Sequence, residues 1–336
     1  MAKKSADSRW SVLALLRFLL AMIVLSTHWV WFLPLKYPAI RLNELGGVEA
    51  VLSFLVISGY SIAHSITQKS EGFYKRRILR IYPLYVAAVL FSLVPFSTGA
   101  QILRDERFFV PRPLPAVVLG NIVFLQNTVC RAIESNPLVW TLGIEVLLYA
   151  LAPWFNRRSS KFLLILAAVS AGMFAAYPYL HWDYYSKLLY GLPFLLMAWA
   201  WLCGFVLFRH QGNIALEIGL TILSTGLIVL NHSVDGPLSI VTIAVSTAVI
   251  ALSPRIRLPQ IGCRLFNFLG DLSYPLYLFH FPVFLLFYCI LLWDSPFVLL
   301  IGAILVSTVM LMVDTAFKSL FRAGTKPRTP RLQNAV

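Results

Sequence analysis

Apolar runs broken by short polar loops recur along the whole chain. They lie near 11–33, 46–67, 81–97, 114–129, 138–155, 161–180, 187–208, 214–231, 237–253, 271–292 and 296–317. Most approach the ~20 residues that an α-helix needs to cross hydrocarbon, and no long polar block separates them. The pattern predicts an all-α, polytopic membrane bundle. It forms one transmembrane domain over 11–317, between a short cytoplasmic N-terminus (1–10) and a basic cytoplasmic tail (318–336). Eleven crossings would leave the termini on opposite sides, yet both are basic: Lys3, Lys4 and Arg9 at one end, and Lys318, Arg322, Lys326, Arg328 and Arg331 at the other. The run at 114–129 is the one to remove. It is short, follows Pro111, Pro113 and Pro115, and carries Asn121, Gln126 and Asn127. As a re-entrant or interfacial segment at the outer face, it leaves about ten transmembrane helices with both termini cytoplasmic. Loops 69–80, 156–161, 209–213 and 253–264 then fall inside and, with the termini, hold most of the 28 lysines and arginines. That is the positive-inside bias expected of a multi-pass protein.

Composition sharpens the reading. Of the 336 residues, 59% are hydrophobic and 12% charged, against roughly 25% charged in ordinary soluble domains. The net charge of +14 is read as a topological signal rather than the mark of a nucleic-acid partner, because the basic residues sit in inter-helix loops. Cys130, Cys203, Cys263 and Cys289 lie far apart, without metal-like spacing; they are expected to pack, and no metal site is expected. The first apolar run is too long for a cleaved leader and lacks a small-residue cleavage site, so it reads as a retained helix. No internal repeat is visible.

Ionisable groups inside a membrane are costly, so each starts as a functional candidate. In RFLLAMIVLSTH (17–28), Arg17 and His28 are eleven residues apart. That spacing is close to three helical turns, so they share one stripe about 16 Å long. Arg17 is expected in the inner leaflet and His28 in the outer half. Glu49 and Glu145 are expected near the outer starts of their helices, at a depth similar to His28, where a carboxylate beside imidazole could fix its tautomer and stabilise its cation. At the inner face, YKRRILRIYP (74–83) puts Arg76 and Arg80 on one side of a helical turn, with Arg77 beside them. Paired guanidinium forks bind phosphate, although a basic loop here also satisfies topology. LGDLSYPLYLFHFP (269–282) gathers Asp271, Ser273, Tyr274, Tyr277 and His280 on one entering helix. Its polar face points to a cavity or supplies interhelical hydrogen bonds. His64 and Asp314 are read as partners of loop lysines or arginines.

Together with these segments, FLVISGY (54–60), RRILRIYPLY (76–85) and NPLVWTLGIEVLLYALAP (136–153) make the chain resemble the acyltransferase-3 family of integral membrane acyltransferases, in order and over nearly its whole length. The resemblance implies transfer of an acyl group, usually acetyl from cytoplasmic acetyl-CoA, to a sugar hydroxyl of a glycan or lipid-linked sugar at the outer face. Arg17 and His28 match the family's arginine-ten-residues-histidine pattern, and Arg76 and Arg80 its arginine-three-residues-arginine pattern. Glu145 matches the acid after a Trp-Ser-Leu stretch, here Trp140-Thr141-Leu142, and Ser273, Tyr274 and Tyr277 match its Ser-Tyr pair with a second tyrosine. Leu52 stands where family members commonly have an acid, with Glu49 about one turn earlier.

On this reading His28, Glu145 and Glu49 are the catalytic candidates. Arg17, Arg76, Arg80, Ser273, Tyr274 and Tyr277 are the donor-binding ones. His28 acts either as general base or as a transient acyl carrier. Expected partners are acyl-CoA, the glycan acceptor, the bilayer and polysaccharide-assembly machinery or a second copy. The expected location is a bacterial inner membrane. Loop 98–137, with Arg104, Arg107, Phe108, Phe109 and Arg112, is the candidate acceptor surface. The rival reading is a transporter or flippase using the same polar residues as a substrate or proton path.

Overall fold

The structure is a computed structural model describing residues 8–33, 38–99, 101–104, 108–231 and 238–324. Its helices are α1 (Arg9–Phe32), α2 (Gly47–Gln68), α3 (Phe73–Phe91), α4 (Pro115–Ile122), α5 (Trp140–Asn156), α6 (Ser160–Ala176), α7 (Leu192–Arg209), α8 (Ile214–Leu230), α9 (Ser239–Leu252), α10 (Gln260–Leu285) and α11 (Pro296–Gly324). A two-stranded antiparallel hairpin, β1 (Gln101–Arg104) with β2 (Phe108–Pro111), is the small departure from an all-α chain. Among the described residues, eight helical spans are long and apolar enough to cross a bilayer, and α8 and α9 are shorter apolar helices. The protein is an integral multi-pass membrane protein.

The segment 114–129 does not form a crossing helix. α4 has eight residues, about 12 Å of rise, and the chain then turns through Phe124 and Asn127, both at positive φ. Buried amides hold this turn where no water could. Asn121 donates to the carbonyls of Val117 (2.8 Å) and Arg131 (3.0 Å), and Gln126 donates to that of Val139 (2.8 Å).

Loop contacts sort the bundle into two ends. At one, Leu258 N–H donates to Ser8 Oγ (3.0 Å), Arg9 to Gln211 Oε1 (2.9 Å), Arg209 to the Arg158 carbonyl (2.7 Å) and Lys318 to the Arg80 carbonyl (3.4 Å). At the other, Leu238 N–H donates to the Glu44 carbonyl (2.9 Å), Gly191 N–H to that of Asn127 (2.8 Å) and Asn231 to Tyr185 Oη (2.9 Å). The described starts and ends of the chain thus meet at the basic end, as an even number of crossings requires.

Two helices begin well before their apolar runs. α3 starts at Phe73, so Arg76, Arg77 and Arg80 lie in its first two turns rather than in a loop; long basic side chains extend a membrane helix this way by reaching for the interface. α10 starts at Gln260, so Asp271 to His280 occupy mid-helix rather than its beginning.

Two close helix crossings set the frame. α2 and α7 meet at Gly59 and Gly204, where a Cβ would lie 1.9 Å from the Trp201 carbonyl oxygen and 2.0 Å from that of Val56. α1 and α10 meet at Ala14 and Gly270, where a Cβ would lie 2.4 Å from Ala14 Cβ. Small residues permit such approach, which drives association where lipid removes the hydrophobic incentive. α1 and α10 run parallel, since Ala14 meets Gly270 and His28 meets His280. α2 runs against α1, with Arg17 meeting Ser61 and Thr27 packing on Gly47.

Candidate active site

Between α1, α2, α3, α5, α10 and α11 lies a cavity of about 220 Å³. It adjoins a wider vestibule of about 640 Å³ at the basic end. Arg17, Ser61, Arg77, Arg80, Gly270 and Asp271 line both spaces and so form the neck between them. The vestibule adds Lys69 and Arg76; the inner cavity adds Glu145, Tyr149, Ser273, Tyr274, Tyr277, Asp314 and Lys318. The two spaces together fall within the range typical of ligand sites, roughly 300–1,000 Å³.

Arg17 is fixed by donating to Ser61 Oγ at 2.8 Å. Arg77, which sequence reasoning left outside the site, donates to Ser65 Oγ at 2.5 Å and lines both spaces. The Arg80 guanidinium has no protein acceptor among the described residues and so keeps its hydrogen-bonding capacity for a ligand. Arg76 differs from its i+4 neighbour, because it closes the α2–α3 turn by donating to the carbonyls of Lys69 and Glu71. The expected Arg76/Arg80 pair is therefore a division of labour: Arg80 and Arg77 face the neck, and Arg76 lines the vestibule while bracing the turn.

Glu145 departs from the expected geometry. Ser58 Oγ donates to its Oε1 at 2.8 Å, and the Tyr149 hydroxyl, one turn on along α5, donates to the same oxygen. Oε2 meets no protein donor among the described residues. Ser58 is nine residues past Glu49 on α2, about 13 Å along the axis. Glu145 therefore lies midway through the bundle, beside the neck, and not at the depth of His28. It does not contact His28 and cannot orient its ring. Glu49 does share the level of His28, as Thr27 packs on Gly47, and it is fully buried in the first turn of α2.

His28 meets another histidine. Its Nδ1 lies 2.8 Å from the Val24 carbonyl oxygen and 3.3 Å from Nε2 of His280, whose own Nδ1 lies 2.8 Å from the Leu276 carbonyl oxygen. Trp31 and Phe281 set their rings at near right angles to His28, at 5.5 and 5.4 Å, and Trp31 is 56% exposed. His28 does not line the inner cavity. Tyr277 does, however, and it precedes His280 by three residues, about 4.5 Å of rise, so the cavity ends about one turn below the histidine pair.

The hydroxyls grouped on α10 are all engaged. Ser273 donates to the Gly270 carbonyl (2.7 Å), Tyr274 to that of Ile81 (3.1 Å), and Tyr277 shares a hydrogen bond with Thr141 Oγ1 (2.8 Å). They shape the wall more than they offer free donors. Asp314 pairs at 2.5 Å with Lys318, a lysine one turn on along α11 rather than in a loop, and both line the cavity. His64 packs its ring on Trp10 and Phe208, at 4.6 and 5.4 Å. Of the loop expected to meet an acceptor, Arg107 and the side chains of Arg104 and Phe108 lie outside the described residues, while Phe109 and Arg112 are exposed. Sequence signals for the missed residues existed: Tyr149 is at i+4 from Glu145, and His280 shares the face of Tyr277.

The family model described as an acyltransferase domain matches residues 11–316, which takes in at least the greater part of every membrane helix and all of the residues lining the inner cavity except Lys318. The chain belongs to the acyltransferase-3 family. No curated protein and no solved structure matches it. The family makes the protein a membrane acyltransferase.

Proposed function

We propose that this acyltransferase takes its acyl group, most simply acetyl, from cytoplasmic acyl-CoA. It passes that group to a sugar hydroxyl of a glycan or lipid-linked sugar at the opposite face of a bacterial inner membrane. The supporting observation is that the vestibule and the inner cavity share the arginine neck, and that the cavity reaches Tyr277, one turn before His280, which meets His28. Arg80, Arg77 and Arg76, with Lys69, would hold the phosphates of CoA; charge-assisted hydrogen bonds to phosphate are the strong kind. The pantetheine arm, extended, would cover much of the ~16 Å between Arg17 and His28.

Chemically, the acceptor hydroxyl loses its proton to His28 as its oxygen bonds to the acyl carbon; the carbon–sulfur bond breaks, and the departing thiolate regains a proton from His28. Glu145, held by Ser58 and Tyr149, is assigned to the donor, with Oε2 accepting from an amide N–H of the pantetheine arm. Trp31, exposed beside His28, is assigned to stacking against the acceptor sugar.

The test uses purified protein in lipid nanodiscs with radiolabelled acetyl-CoA and glycan acceptor. Release of free CoA with label appearing in the acceptor is the expected result. Movement of unmodified substrate across proteoliposomes with no CoA release would establish transport instead. Label trapped on protein without acceptor, and lost in His28→Ala, would make His28 an acyl carrier rather than a base.

A further inference from the structure

We propose that His280 is the positioning residue of His28, filling the place a carboxylate holds in the usual arrangement of a histidine base; the inference rests on the acyl-transfer reading above. Both rings are anchored by their Nδ1 atoms to carbonyl oxygens one turn back, His28 to Val24 and His280 to Leu276, each at 2.8 Å. A carbonyl oxygen only accepts, so each Nδ1 carries a hydrogen. His280 Nε2 faces the N–H at His28 Nδ1 at 3.3 Å. Two N–H groups pointed at each other would repel, so His280 Nε2 presents its lone pair.

The result is a directed chain. His280 donates to Leu276, and His28 donates to both Val24 and His280. His28 Nε2 is left with a lone pair and no protein partner among the described residues.

This arrangement does what a carboxylate partner would do without a formal charge. His280 is fully buried, and aromatic rings pack on both members of the pair: Trp31 and Phe281 on His28, Phe284 on His280. An ionised carboxylate there would carry a heavy desolvation cost, whereas neutral imidazole carries far less. When His28 takes the hydroxyl proton, its Nδ1–H becomes a stronger donor, and His280 Nε2 is a more basic acceptor than the Val24 carbonyl. His280 thus fixes the ring plane before the reaction and stabilises the imidazolium during it, touching neither substrate.

The substrate-free arm of the experiment is solid-state NMR on protein labelled with 15N-histidine and reconstituted in bilayers. The expected spectrum contains a nitrogen–nitrogen contact between a protonated Nδ1 and an unprotonated Nε2, absent in both His28→Gln and His280→Phe. In the kinetic arm, His280→Phe removes the acceptor and keeps a ring, while His280→Gln returns an acceptor near the Nε2 position. The Phe variant is expected to lose about 30- to 100-fold in kcat with KM for acyl-CoA within twofold, and Gln to recover about tenfold of that loss; unchanged CoA binding confirms that both variants fold. Equal impairment of Gln and Phe, a Phe variant keeping more than a third of kcat, or Nε2-protonated rings in the wild type would overturn the assignment. Wild-type protein that shows the ring contact but releases no CoA from any donor overturns the acyl-transfer reading instead, and leaves the pair standing.

Discussion

The α2–α7 and α1–α10 interfaces use the same device and end differently. Both bring backbones together through small residues, Gly59 and Gly204 in one and Ala14 and Gly270 in the other. α7 is buried along nearly its whole length by apolar side chains, Trp199, Trp201 and Phe205 among them. The second half of α10, from Leu272 on, is as deeply buried, yet α10 carries Asp271, Ser273, Tyr274, Tyr277 and His280 toward the cavity and α1. Close packing therefore does not itself make a site. Where both helices are apolar the contact is a weld; where one bears polar groups, the same closeness leaves a neck at Gly270 and pins His280, ten residues past Gly270, against His28, fourteen past Ala14.

The comparison is open to attack in order of expected effect. Gly204→Leu puts a side chain where even a Cβ would lie 2.0 Å from backbone, and overpacking without room to relax is strongly destabilising. It should abolish folded, monodisperse protein in detergent by size-exclusion chromatography, a loss that no site variant should share. Next, His28→Ala should lower acyl transfer by about 10²- to 10⁴-fold, the usual contribution of a general base, with a melting temperature close to wild type.

Arg80→Ala should raise KM for acyl-CoA by about tenfold or more, since a charged hydrogen bond contributes about 1.5–3 kcal/mol. The effect should shrink with a donor lacking the nucleotide phosphates. Arg76→Ala should raise KM less and lower thermal stability more, because its guanidinium is already engaged by the turn. The smallest effect is expected of Trp31→Ala, a few-fold rise in KM for the acceptor with the donor's unchanged. A fall in CoA affinity in that variant would place Trp31 on the wrong half of the path.

Much of this was legible in the chain. The polytopic helical bundle followed from hydropathy and loop charge, and 114–129 was separable because three prolines and three amides do not belong in a spanning helix. Arg17 and His28 could be placed on one stripe because a single helix has fixed pitch. Arg76 and Arg80 were found together, yet their different uses were not, since the Lys69 and Glu71 carbonyls that occupy Arg76 belong to a turn whose shape no spacing encodes. Glu145 was found as a residue and misplaced in depth.

That misplacement marks the boundary. Sequence alone determined the all-α membrane fold, which loops share an end, and the 16 Å stripe on α1, because these depend on partition into hydrocarbon and on a rise of about 1.5 Å per residue within one helix. Tertiary structure decided that Glu145 stands with Ser58 and Tyr149 beside the arginine neck, and that His28 faces His280 across 252 positions of chain. Register between helices is set by which small residues let backbones meet, Ala14 on Gly270 and Thr27 on Gly47, and by helices such as α10 that begin before their apolar run. Neither is written in the periodicity of any one segment.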